Sequence, residues 1–137
     1  MSAKHDRTYS VNRAQAKKFF TKARQYLESA QLLLENERFD AAGLAAIHSA
    51  IAASDATLGF AIGARSAAQD HMAVVALLSK QVDEFGATQQ RQLVGLLRMK
   101  STIAYDDRLI SQDEAWVLVA QAERYCNWAS ETIKRHK

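Results

Sequence analysis

Proline is absent from the 137 residues, and glycine occurs only five times. Nothing in the sequence therefore forces a break inside a helix. Cysteine is nearly absent too. Cys126 stands alone, which excludes an intrachain disulfide framework and suits a reducing, cytoplasmic setting. No uninterrupted apolar run reaches the roughly 18–20 residues of a membrane span, and the first residues carry no signal-peptide pattern. The short motifs CxxC, HExxH, the P-loop and GxGxxG are also missing, and with them the usual metal and nucleotide-loop chemistries. The histidines (His5, His48, His71 and His136) share no metal-ligand spacing, and inward glutamate pairs of the di-iron type are lacking. The expectation is a protein with no metal, no cofactor and no membrane segment.

What is present points to helices. A chain of 137 residues fits one domain with a real core. Much of its 48% hydrophobic content is alanine, the best helix former and one that lets helices approach closely. The formal charge of +3 hides a polarity along the chain. Residues 1–24 hold seven Lys/Arg against one Asp, residues 25–133 hold eight against fourteen acids, and the last four residues are basic again. Basic ends on an acidic body read either as a patch for phosphates or an acidic partner, or as solvated, frayed termini.

The apolar spacing predicts an all-α fold, an antiparallel up-and-down bundle of four to five helices over residues 12–137, preceded by a basic tail over residues 1–11. The first helix, about Asn12 to Asn36, aligns Ala16, Phe19, Phe20, Ala23, Tyr26, Leu27, Ala30 and Leu34 on one face. After a turn at 36–38, Asp40 is placed to cap a second helix, with Phe39 and Leu44 as a hydrophobic staple. That helix runs to Leu58 or Ile62 and loosens at Gly59 and Gly63. Ser66 to Gln69 reads as a capping box for a third helix ending near Gly86. A fourth spans about Thr88 to Tyr105. Ser111 to Glu114 caps a fifth, with the stripe Ala115, Leu118, Val119, Ala122, Cys126, Ala129 and Ile133.

Charge interrupts two of these apolar faces. His48 and Asp55 fall beside Leu44 on the inward side of the second helix, two turns apart. Lys100 lies in the middle of the face formed by Leu93, Leu96, Leu97, Ile103 and Ala104, flanked by Arg98 and Tyr105. An unpaired charge in a packed core costs several kcal/mol. Asp55 or His48 is therefore expected to contact Lys100, either as a register lock or as part of a wet cleft. The second concentration runs from Gly63 to His71, at a glycine-hinged helix junction that favours anions. There Arg65 is placed to hold a phosphate, His71 to move a proton near neutral pH, and Asp70 to orient the histidine or simply favour the helix dipole. Capping chemistry plus a surface arginine would leave the same residues.

The succession YLESAQLLLENERFDAAGLAAIHSAIAASDATLG, GARSAAQDH, LLRMKSTIAYD and SQDEAWVLVAQAERYCNWA resembles HEPN-domain proteins, over roughly residues 15–130. It looks most like the small stand-alone bacterial members. The resemblance implies a helical bundle, often a homodimer, in RNA processing, toxin–antitoxin pairs or defence. Active members are metal-independent endoribonucleases with an Arg-x4–6-His motif, in which histidine is the acid or base and arginine binds the scissile phosphate. At the family's usual position this chain has Lys100 and Tyr105, and tyrosine with a pKa of about 10 is a poor base at neutral pH. Arg65 and His71 match the spacing but lie earlier. Two readings follow. In one the protein recognises RNA or a nucleotide phosphate, with Arg65, His71 and Asp70 as catalytic residues and Lys100, Tyr105 and Arg98 as phosphate contacts. In the other it is a non-catalytic, dimeric interaction module partnering a nucleotidyltransferase, an antitoxin or a larger complex.

Overall fold

The computed structural model describes residues 7–137; the earlier part of the basic tail lies outside the described residues. The fold is predominantly helical, with a two-stranded sheet at one end. In chain order the elements are β1 (Thr8–Ser10), α1 (Arg13–Glu35), α2 (Phe39–Ile62), β2 (Ala64–Ser66), α3 (Met72–Gln81), α4 (Ala87–Arg98), α5 (Lys100–Tyr105) and α6 (Gln112–Arg135).

The helix α1 starts where a reciprocal cap forms. The Asn12 side chain accepts from the Gln15 N–H at 2.8 Å, and Gln15 accepts from the Asn12 N–H at 2.9 Å. Its core contact is a line of small residues, Ala16, Ala23 and Ala30, all fully buried, which brings its backbone close to α2. The face reaches less far round than the spacing predicts: Phe19, Phe20, Leu27 and Leu34 are only partly buried and Tyr26 is exposed. The turn closes with Glu37 in the left-handed region, φ 59°.

The central element is α2, which packs against α1 and α6 and touches α3, α4 and α5. It is long and apolar enough to cross a membrane by length and composition, although its apolar stretch is interrupted by His48 and Asp55, and 67% of its most apolar window is buried inside the fold. Gly59 does not loosen the helix. A Cβ there would lie 2.8 Å from the Ala16 Cβ and 2.9 Å from a Val11 methyl, so glycine is what permits the close approach. The helix ends at Gly63, φ 66°, the left-handed stop glycine accepts readily.

Several local expectations are corrected. Asp40 does not cap α2, whose first helical residue is Phe39; its carboxylate instead accepts the Ile110 N–H at 3.3 Å, just before α6. Ser66 cannot open a helix because it is extended. It pairs with Thr8 in the β1–β2 ladder, and the Ala67 N–H donates to the Arg7 carbonyl at 2.8 Å. The basic tail is therefore anchored from Arg7 onward, and Val11 is buried with its N–H on the Gly63 carbonyl. Finally, the expected fourth helix is divided at Met99 into α4 and α5, with the Met99 N–H bonded to Leu96, the tighter i→i−3 pattern, as well as to Leu97.

The last helix follows expectation. Ser111 and Glu114 form the reciprocal cap, and the whole stripe from Ala115 to Ile133 is buried. The stripe also includes Tyr125, fully buried, whose hydroxyl lies 2.7 Å from Ser54 Oγ. Ser54 directs its one hydrogen to the Ala50 carbonyl, so Tyr125 is the donor. Burial raises the Tyr125 phenol well above its usual value and the Cys126 thiol to about 11, which leaves both chemically quiet.

Candidate functional site

Three elements bring the polar residues together. The helix α2 presents His48 and Asp55 two turns apart, the segment from β2 to α3 carries Arg65, Asp70 and His71, and α5 begins with Lys100. Seven residues of helix separate His48 from Asp55 by about 10 Å, so one lysine cannot serve both. The groups divide accordingly.

The first group centres on Lys100. Its Nζ lies 2.8 Å from Nε2 of His71. An ammonium only donates, so Nε2 carries the lone pair and the ring proton sits on Nδ1. Loss of solvation and then the Lys100 charge hold His71 below its ordinary value, with Asp70 pulling the other way. His48 is lowered for the same two reasons, burial first and Lys100 second, and its ring rests 5.5 Å from that of Tyr26. The expected contact of Lys100 with His48 or Asp55 is thus made directly with His71, while His48 feels the lysine through space.

Around this pair lies an open cleft of about 390 Å³, lined by Asp70, His71, Lys100, Ser101 and Tyr105 among others. Asp70 is tied to the backbone: its Oδ1 accepts the N–H of Met72, the first residue of α3, at 2.9 Å. His71 therefore sits before the helix rather than one turn into it. Tyr105 is exposed at the rim. Arg98 is elsewhere, on the outer face of α4 with Arg91 and Gly95.

The second group is Asp55 and Arg65. Asp55 is mostly buried and makes no hydrogen bond or close ion pair among the described residues; burial pushes its carboxyl up to about 6, opposed by the nearby Arg65 charge. The Arg65 guanidinium lies over the Tyr9 ring at 4.9 Å and the Phe19 ring at 5.4 Å. It lines a groove with Lys18 and Lys22, not the cleft of His71. Tyr9 escaped sequence reading because a three-residue exposed strand has no alternation to detect. Elsewhere, His136 bonds Glu84 at 3.1 Å, and among the described residues no cluster of three His, Cys, Asp or Glu is placed to hold a metal.

No protein-family model matches the chain, and no curated protein matches it.

Proposed function

We propose that the cleft at His71 and Lys100 recognises a phosphate of RNA or a nucleotide, in a cytoplasmic protein of HEPN type. The observation that carries this reading is the 2.8 Å Lys100–His71 contact at the edge of an open cleft. Among the described residues this ammonium is held only by a neutral ring nitrogen, which leaves it poised for a better acceptor, and a phosphate oxygen is one. When the lysine turns to the phosphate, Nε2 is released with its lone pair. Because His71 is held below its ordinary value, that lone pair is free at neutral pH.

With RNA bound, the released nitrogen is a base for the adjacent 2′-hydroxyl. The 2′-oxygen attacks phosphorus and its proton passes to Nε2. The bond from phosphorus to the 5′-oxygen breaks, that oxygen takes a proton from water, the hydroxide left takes the proton back from Nε2, and a 2′,3′-cyclic phosphate remains. Lys100 offsets the charge that builds on the phosphoryl oxygens. Tyr105 stands at the rim as a hydrogen-bond donor, and Asp70 fixes the start of α3 and so the position of His71. Arg65 acts from the neighbouring groove. The test is incubation of pure protein with labelled single-stranded RNA in EDTA, beside His71→Ala and Lys100→Met. Cleavage that both changes remove supports the reading; cleavage that survives both, or RNA that is neither bound nor cut, rejects it.

A second reading, a non-catalytic dimeric interaction module, is favoured by a different observation. Between α4 and α6 lies an apolar groove of about 390 Å³. Val117 in its lining is 49% exposed, and Gly95, also in the lining, has open space where a side chain would stand. Arg91 lines one wall and Asp113 the other, and Gln92 there has a buried oxygen without a hydrogen-bond partner among the described residues. A second copy turned about a two-fold axis would set Arg91 against Asp113 twice. Light scattering should find a dimer that Val117→Glu converts to a folded monomer; a wild-type monomer at tens of micromolar counts against this surface.

A further inference from the structure

The first half of α1 carries Arg13, Lys17, Lys18, Lys22 and Arg24, and the first acid after them is Glu28. This is unfavourable twice over. Arg13 sits at the positive end of the helix dipole, and Lys18 and Lys22 repel at i, i+4. None of the five makes an ion pair with a carboxylate among the described residues. Arg13 lies over the Phe60 ring at 5.5 Å; the fold gains nothing from the charge of Lys18 and Lys22 that neutral helix formers would not supply.

The same lysines line a groove of about 250 Å³ with Gln15, Phe19, Tyr9 and Arg65. Arg65 stacks on two rings and spends none of its side-chain donors on a hydrogen bond among the described residues. Tyr9, on the outer strand of the small sheet, stays 55% exposed beside it. An aromatic ring, a stacked guanidinium and two lysines without an ion pair among the described residues are the parts from which proteins build sites for unpaired strands. The ring takes the face of a base and the cations take the phosphates. A duplex hides its base faces, and an acidic peptide has no use for the ring.

We propose that the groove between the β1–β2 sheet and α1 is a track for single-stranded nucleic acid. Tyr9 is the platform for one base, and Arg65, Lys18 and Lys22 are the phosphate contacts. The track names the ligand class for the His71–Lys100 cleft and rests on that reading for this alone, since its residues are separate. Residues 67–70 are all that lies between β2, which carries Arg65, and His71, so a strand leaving the track has a short path to the cleft.

The experiment is fluorescence anisotropy with a 2′-O-methyl oligoribonucleotide of about twelve nucleotides, which cannot be cleaved, over a series of salt concentrations. Tyr9→Leu should weaken binding roughly 5- to 100-fold with little change in salt dependence, while Tyr9→Phe binds like wild type. Lys18→Ala with Lys22→Ala should lower the log–log salt slope by about 1.4. The matching duplex should bind more weakly than the single strand. Thermal melting of each variant separates lost binding from lost folding. Affinity within twofold of wild type for folded Tyr9→Leu and for the double lysine variant, or a preference for duplex, overturns the track. If those variants bind normally while His71→Ala and Lys100→Met do not, the cleft reading survives and the track is wrong. The reverse pattern supports the track and sinks the cleft.

Discussion

His71→Ala should reduce cleavage of single-stranded RNA in EDTA by roughly two to four orders of magnitude, the usual contribution of a positioned acid–base group. The protein should stay folded, because His71 is exposed and precedes α3 rather than supporting its core. Lys100→Met removes the phosphate anchor and also one cause of the lowered His71 pKa. Its residual activity should therefore need a higher pH than the wild type. In the wild type, activity should be flat at neutral pH and fall on the acid side only below 6.5, where Nε2 takes up its proton. A variant with normal turnover and His71 replaced would remove the histidine from the chemistry.

Asp55→Asn should stabilise the protein at about pH 8 by about 2–3 kcal/mol and change little near pH 4. In the unfolded chain this carboxyl titrates near 3.8, and in the fold burial pushes it up to about 6. Between those values the native state holds more protons than the unfolded one, so the carboxyl's contribution to stability rises as pH falls through the window. Above about 6 it is ionised in both states, and the cost of burying the charge is fully expressed. The amide carries no such cost. His48 and His71 act in the opposite sense: both are held low, so below 6.5 the unfolded chain binds the extra protons and stability is lost. Measuring the difference between Asp55→Asn and wild type at each pH cancels that contribution. Urea unfolding at the two pH values is the check, and a destabilised variant at pH 8 would mean that Asp55 is held by a direct ion pair with Arg65.

The helices were legible because they are long and periodic. Asn12 and Ser111 begin α1 and α6 with reciprocal caps, and the α6 stripe is buried as its spacing requires. The inward placement of His48 and Asp55 followed from the helical wheel, and both lie on the partly buried side of α2. What failed were features set by partners distant in sequence. Ser66 has a capping pattern, yet pairing with Thr8 makes it a strand. Asp40 has a capping position, yet it serves Ile110, seventy residues away. The break at Met99 falls at no proline or glycine. The same limit governs the site. Arg65 and His71 are close in sequence, but the strand turns Arg65 toward Tyr9 and Phe19 while His71 meets Lys100. Which charge faced which was decided by the β1–β2 pairing, and that left no periodic trace.

The phosphate site stands on the state of one imidazole. Long-range nitrogen–proton spectra of histidine-labelled protein, titrated with pH, report that state directly. His71 should show a proton on Nδ1 at neutral pH and a pKa below 6.5. That pKa should rise in Lys100→Met, and it should rise in the wild type when an uncleavable 2′-deoxy dinucleotide is added. A His71 that titrates at or above 6.5, unmoved by either the lysine substitution or the phosphodiester, would contradict a phosphate site at this pair.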